Sequence, residues 1–388
     1  MILLAGCPAT TPPAASWDYV VLAWNDLGMH CMNEDFSELM ILPPYNTLHA
    51  QVIDRRHGEP EIVRSGVQVS YMFPDNTSSV DKTNFWEYAQ ALFGVALAPN
   101  VGLTGRGLSG NMTPTGNNDW SAEGIPLTPL NDRGEEDAYP LALVKVIAGG
   151  KAVASTLAVA PVSWEISCQL CHNTPGVSAA TDILRAHDRL HGTTLEQEKP
   201  VMCSECHAQA PLGTTGSPSL SSAIHSSHAT RMHEAQLANA CYACHPGIRT
   251  QCLRDVHYIA GKDCQFCHGD MAAVGNPARR PWVDEPRCDD CHDRAGFEFE
   301  QADTLYRNSK GHRGIHCAAC HGSPHAITPT AVQQDNIQAL MVQGHRGTID
   351  TCAVCHAEPE DDPFPHRVVE EDDDKATLFP VKLETLLR

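Results

Sequence analysis

The pattern of apolar and polar positions changes character near residue 165. Before that point, Val63, Val67, Val69, Tyr71 and Phe73 fall on one face of an extended run, the period-two signature of a half-buried strand. Val144 to Ala148 and Val153 to Val159 flank Gly149-Gly150, which predicts two strands joined by a tight hairpin. The stretch 99–135 is rich in Gly, Asn, Thr and Pro and predicts a long surface excursion. Residues 8–165 are therefore expected to form a β-rich N-terminal domain, with a sandwich as its candidate form, joined to the second half of the chain near Pro161 to Ser167.

Residues 166–366 read differently. They lack long apolar runs, so an ordinary core built by area burial is not expected there. Helices should be short and end at Gly and Pro, as at Pro246-Gly247, Gly275 and Pro277, with irregular chain between them. No apolar run of 18 or more residues occurs beyond the N-terminus, so no membrane span is predicted.

Charge narrows the partners. With 27 Lys and Arg against 47 Asp and Glu, the formal net charge of -20 repels a phosphate backbone and excludes nucleic acid as the expected partner. Glu358, Glu360, Asp361 and Asp362, then Glu370 to Asp374, read as solvated chain, and residues 367–388 as an acidic tail.

Seventeen cysteines and 21 histidines point to metal chemistry. Seven times the chain reads Cys-x-x-Cys-His: Cys168, Cys171 and His172; Cys203, Cys206 and His207; Cys241, Cys244 and His245; Cys264, Cys267 and His268; Cys288, Cys291 and His292; Cys317, Cys320 and His321; Cys352, Cys355 and His356. Chance would supply roughly 0.04 such pentads at these Cys and His frequencies. Two thiols three positions apart add across the vinyl groups of a haem, and the adjoining imidazole becomes the proximal iron ligand. Zinc needs a second Cys pair to close each site and no His after every pair, and an odd number of pairs leaves one without a partner. Thioredoxin-like chemistry needs one such motif in a strand–helix setting. The expected cofactor is seven covalently bound haem c groups.

The sixth ligand separates a carrier from an enzyme, because an open haem face can bind substrate. Eleven further histidines lie in this region, and His187, His225, His228, His257, His312, His325 and His366 are selected as distal ligands. His187 with His191 and His312 with His316 are four apart and share a helix face, so only one of each need serve. His191, His233, His316 and His345 are held in reserve, and Met202, Met232 or Met271 are alternatives to one imidazole. His30, His49 and His57 lie in the first half. Successive motifs are 35, 38, 23, 24, 29 and 35 residues apart, too little peptide to wrap each porphyrin separately. The expected fold class is thus a β-rich N-terminal domain plus a mostly irregular, short-helix multihaem cytochrome c domain with the haems as its core. Cys31 and Cys252 remain outside the motifs, as a cross-domain pair or as free thiols.

The seven pentads, with phrases such as Cys320-His321-Gly322-Ser323-Pro324-His325, resemble the bacterial multihaem c-type cytochromes of extracellular electron transfer, some of which polymerise into filaments. Asp26-Leu27-Gly28-Met29-His30-Cys31 and Leu42-Pro43-Pro44-Tyr45-Asn46 also look like the leading portion of such chains. The resemblance implies stacked bis-His haems passing electrons, with other cytochromes or metal oxides as partners and self-association into filaments as an option. In a filament a distal His can come from the next subunit, with His30 and His49 as candidates. The alternative is a multihaem reductase of nitrite, hydroxylamine or a sulfur oxyanion, although the Cys-x-x-Cys-Lys motif of the nitrite reductases does not occur. Covalent haem attachment implies export to the outer-membrane surface or beyond, with the periplasm as alternative. Leu4-Ala5-Gly6-Cys7 resembles a lipoprotein lipobox, so residues 1–7 read as a short signal remnant with a lipid anchor expected at Cys7.

Overall fold

The structure, a computed structural model, describes residues 18–292, 297–357 and 366–368. The first half contributes β1 (Tyr19–Asn25), β2 (His30–Cys31), β3 (Leu39–Met40), β4 (Asn46–Asp54), β5 (Glu61–Val63), β6 (Gln68–Met72), helix α1 (Phe85–Phe93), β7 (Ser109–Asn111), β8 (Thr113–Pro114), β9 (Trp120–Ile125), β10 (Leu141–Ala148), β11 (Lys151–Val159) and β12 (Val162–Ser163). One antiparallel sheet runs β1-β4-β9-β8, with β5 sharing the β9 edge of β4, and a second runs β11-β10-β6-β7. Their inner faces meet in one core: Val21, Leu48, Ala50 and Val52 from the first sheet, Val69, Tyr71, Val144 and Val146 from the second. Each buried Val of that kind contributes about 1.5–3 kcal/mol by leaving water.

The hairpin turns at Gly149 and Gly150, whose φ values of 55° and 77° suit only glycine comfortably. The run from Val63 to Phe73 is not one strand. Gly66, at φ 80°, turns the chain between β5 and β6, so Val63 joins the first sheet while Val69 and Tyr71 join the second. The stretch 99–135 is also more than a surface excursion: β7, β8 and β9 lie within it, and Trp120, Ala122 and Ile125 are buried. Glycine and asparagine mask this segment's strand pattern because they serve a turn beside β9, as at Asn118 (φ 69°), and a bulge within it, at Gly124 (φ 79°).

The second half contains α2 (Ala179–His191), β13 (Val201–Met202), α3 (Leu220–Ala235), α4 (Val256–Ile259), α5 (Cys264–His268), α6 (Met271–Val274), β14 (Phe297–Glu298), β15 (Lys310–Gly311), β16 (Ile315–His316), α7 (Cys317–His321), α8 (Ile337–Gln343) and β17 (Arg367–Val368). Serine side chains cap the two longest helices: Ser178 accepts from the Thr181 amide, and Ser219 from that of Ser222. The larger buried apolar side chains described here are Leu184, Leu220, Met232, Leu253 and Val354, and the others are alanines. Among the described residues, this half does not enclose an apolar core of its own.

It is instead fastened to the first half. β13 pairs with β3 just before Cys203, and the Glu165 carboxylate accepts from the backbone amides of Ile248, Arg249 and Thr250. The Gln51 side chain donates to Gly314 O and accepts from His316 N, while Trp24 packs beside Ala318 and Ala319. The buried Arg254 guanidinium meets Asp335 at 2.6 and 2.8 Å and stacks over the Tyr139 ring. No described helix is long and apolar enough to cross a membrane.

Candidate metal centres

Each Cys-x-x-Cys-His pentad forms a single helical turn. In five of them the His amide donates to the carbonyl of the first Cys, at 2.8 Å for His172, His245, His292 and His356 and 3.2 Å for His207; the other two pentads are α5 and α7. Positions i, i+3 and i+4 of a helical turn share one face, so both thiols and the imidazole of every motif project together.

Numbering the motifs I to VII in chain order, each proximal imidazole has a second imidazole opposite it. The ring-centroid distances are 6.4 Å for His172–His228 (I), 6.4 Å for His207–His187 (II), 6.1 Å for His245–His225 (III) and 6.0 Å for His268–His325 (IV). They are 6.1 Å for His292–His257 (V), 5.9 Å for His321–His366 (VI) and 5.9 Å for His356–His312 (VII). Two in-line metal–imidazole bonds of about 2.0–2.1 Å, plus about 1.1 Å from each nitrogen to its ring centre, give about 6.3 Å.

Hydrogen bonds also set the orientation and tautomer of several of these rings. His225 Nδ1 donates to Ser221 O and His228 Nδ1 to Ile224 O, both at 2.7 Å, and His207 Nδ1 donates to Pro218 O at 3.0 Å. A carbonyl only accepts, so these rings carry their proton on Nδ1 and keep Nε2 as a free lone pair. His187 Nδ1 lies 2.9 Å from Thr193 Oγ1 and His257 Nδ1 3.1 Å from Asp255 Oδ2. Burial pushes the His245, His268 and His321 imidazoles down to about 4 and lowers His172, His187, His225, His325 and His366, which favours the neutral ring, the form a metal ligand requires.

All fourteen motif thiols, all seven proximal rings and all seven facing rings line one continuous cavity of about 3990 Å³. Shared among seven centres that is about 570 Å³ each, within the roughly 300–1,000 Å³ of a single small-ligand site. Leu170, Leu190, Phe266 and Val283 present large apolar surfaces to it. The thiols, paired imidazoles and apolar walls fit a flat, metal-bearing macrocycle at each motif. Zinc would gather four ligands at one point. Among the described residues no group of three or more His, Cys, Asp or Glu is gathered in that way.

Most of the remaining histidines are otherwise engaged. His191 lies against His187 at 4.7 Å but faces no proximal ring, and His233 is exposed. His316 Nε2 lies 2.8 Å from Asn117 O, which as a carbonyl makes the ring the donor, and the ring packs on Trp24. His345 is half-exposed beside Thr351 and Asp350. His30 is tied to Asp26 and His49 to Asp119, each at 2.7 Å. Met202, Met232 and Met271 border the cavity, but the ring opposite every motif histidine is an imidazole. Cys31 and Cys252 are both thiols, and burial, then the neighbouring Cys252 and Glu165, pushes Cys31 up. Cys7 and the acidic clusters lie outside the described residues.

Sequence reading missed the contacts that seat the facing rings. Gly28 packs on the Pro324 carbonyl beside His325, and Phe299 lies between His292 (6.4 Å) and His366 (5.3 Å). A lone glycine or phenylalanine carries no spacing signal that would have singled either out. The chain matches no known family, no curated protein and no solved structure.

Proposed function

We propose that this chain is a seven-haem c-type cytochrome whose work is to carry electrons. The observation that supports this most directly is that every motif imidazole faces a second imidazole at 5.9 to 6.4 Å, a spacing suited to one iron between two nitrogens. When bound, haem iron cycles between two oxidation states and so supplies one-electron transfer. The chain's own residues would anchor each group through two thiols, hold both axial nitrogens neutral and aimed, and fill the space that an apolar core fills elsewhere.

A reductase of nitrite, hydroxylamine or a sulfur oxyanion requires one centre with a free face. The facing imidazole at each of the seven motifs favours the carrier. On this reading the protein is exported to the cell surface or beyond, is lipid-anchored at Cys7, and exchanges electrons with other cytochromes or with extracellular acceptors such as metal oxides, alone or in filaments. Because each motif already has a facing ring from its own chain, a ligand donated by a neighbouring subunit is not needed for any of them.

The test is intact-mass analysis of the native exported protein together with a reductive titration. Seven haem masses per chain and stepwise, fully reversible reduction without turnover of small oxidants are expected. A colourless chain of bare polypeptide mass overturns the proposal, and steady reduction of nitrite or hydroxylamine moves it to the reductase.

A further inference from the structure

We infer that the seven centres form one unbranched electron path in the order II, I, III, IV, V, VI, VII, with the first two exchanged relative to the sequence and the ends at His207 and His356. This rests on the cytochrome reading above and adds to it the route and its two termini.

The exchange arises from two helices. α2 comes after motif I yet carries His187, the ring facing His207 of centre II. The same helix carries Asp182, which bonds to Thr174 just after His172 and interacts with the His172 ring. Asp182 and His187 are five residues apart, about 7.5 Å along the axis. Centres I and II therefore flank one helix. α3 comes after motif II but carries His228 for centre I and His225 for centre III, three residues apart on one face. Cys244 of motif III also interacts with Cys168 and Cys171 of motif I. Centre I thus stands between II and III.

From there the order is that of the chain. The Cys241 and Cys264 side chains are electrostatic neighbours, and His325 of IV neighbours His245 of III, joining III to IV. The Arg254 amide donates to His325 O at 3.0 Å, and His257 lies three residues on, so one short segment touches the facing ring's residue at IV and supplies the facing ring at V. Phe299 spans His292 of V and His366 of VI. The Ile349 amide donates to Cys320 O at 3.0 Å three residues before Cys352, joining VI to VII. Every neighbouring pair is linked by a contact, a shared helix, a short shared segment or a bridging ring.

The test uses full-length holoprotein with Met placed at single distal positions. Met raises a haem's potential, so an altered centre takes the first electron and its charge then depresses its neighbours. In one double-variant cycle His187→Met (II) is combined with His228→Met (I), and in another with His225→Met (III). Spectroelectrochemistry reads how far reducing the second altered centre lowers the midpoint of centre II. The shift from I should exceed that from III by about two-fold, as 1/r repulsion falls over twice the distance. A shift from III equal to or larger than that from I overturns the order. At the other end, His312→Met (VII) with His366→Met (VI) against His257→Met (V) repeats the comparison on elements independent of α3. Protein that carries fewer than seven haems before any substitution defeats the underlying cytochrome reading, whereas seven haems with the reversed coupling defeats the order alone.

Discussion

Gly28 and Pro324 are in backbone contact: a Cβ on Gly28 would stand 1.7 Å from the Pro324 carbonyl oxygen and 3.7 Å from His325 Cβ. Gly28 also sits at φ 77°, and its amide is held at 2.8 Å by the Asn25 side chain. The β-rich half thereby presses a fixed turn against the residue that bears the facing imidazole of centre IV. Gly28→Ala should cost about 2–4 kcal/mol from strain and overpacking combined. It should also free His325, so one ferric haem per chain becomes high-spin. Chemical denaturation and the electron paramagnetic resonance spectrum check the two halves of this expectation. An unchanged spectrum would show that the turn supports folding only.

His187 and His191 lie on one face of α2, and only His187 faces His207. His187→Ala should convert one of seven haems to a high-spin or water-ligated form and make it bind added imidazole or cyanide. His191→Ala should leave all seven low-spin. The same contrast is expected for His312→Ala, which strips centre VII, against His316→Ala, which removes a buried donor to Asn117 and a contact with Trp24 without changing a haem. Ligand-binding titrations read by absorbance distinguish the two positions in each pair.

Glu165 makes the join between the halves sensitive to acid. Burial raises its carboxyl, but the amides of Thr250 and Arg249, the Thr250 hydroxyl and the Ile248 amide together hold it below its ordinary value. A carboxyl with a depressed folded value contributes stability that is fully present above its unfolded value, about 4.3, and is lost as pH falls through the folded value. Thermal stability should therefore decline below about pH 4 in part through this group. Glu165→Gln should remove about 2–4 kcal/mol near neutral pH and flatten that part of the acid decline. An equal acid slope in wild type and variant would contradict this role.

How much of the fold and the site is legible in the sequence depends on whether the physical cause is local. A Cys-x-x-Cys-His pentad is one helical turn, so its spacing alone places two thiols and an imidazole on one face, and the seven thiol–imidazole clusters can be read without a structure. The hairpin at Gly149-Gly150 is legible for the same reason. Choosing His187 over His191 needs the ring of His207, which is distant in sequence, and the spacing of four is symmetric between them. β9 is hidden because its stretch is dominated by the glycine and asparagine of the turn beside it and the bulge within it, while the burial of Trp120 and Ile125 comes from pairing with β4. The break at Gly66 is hidden because Val63 and Val69 keep the same period on either side of the turn. The path of the centres is not legible at all, since α2 and α3 each supply a facing ring to a motif other than the one they succeed.

Spin quantitation of the fully oxidised native protein by electron paramagnetic resonance tests the central claim most directly, because it counts irons and reports their axial ligands together. Seven low-spin ferric centres per chain, with signals of paired imidazoles and no high-spin component, are predicted. A chain with no ferric signal, or with a substantial high-spin fraction, would contradict it.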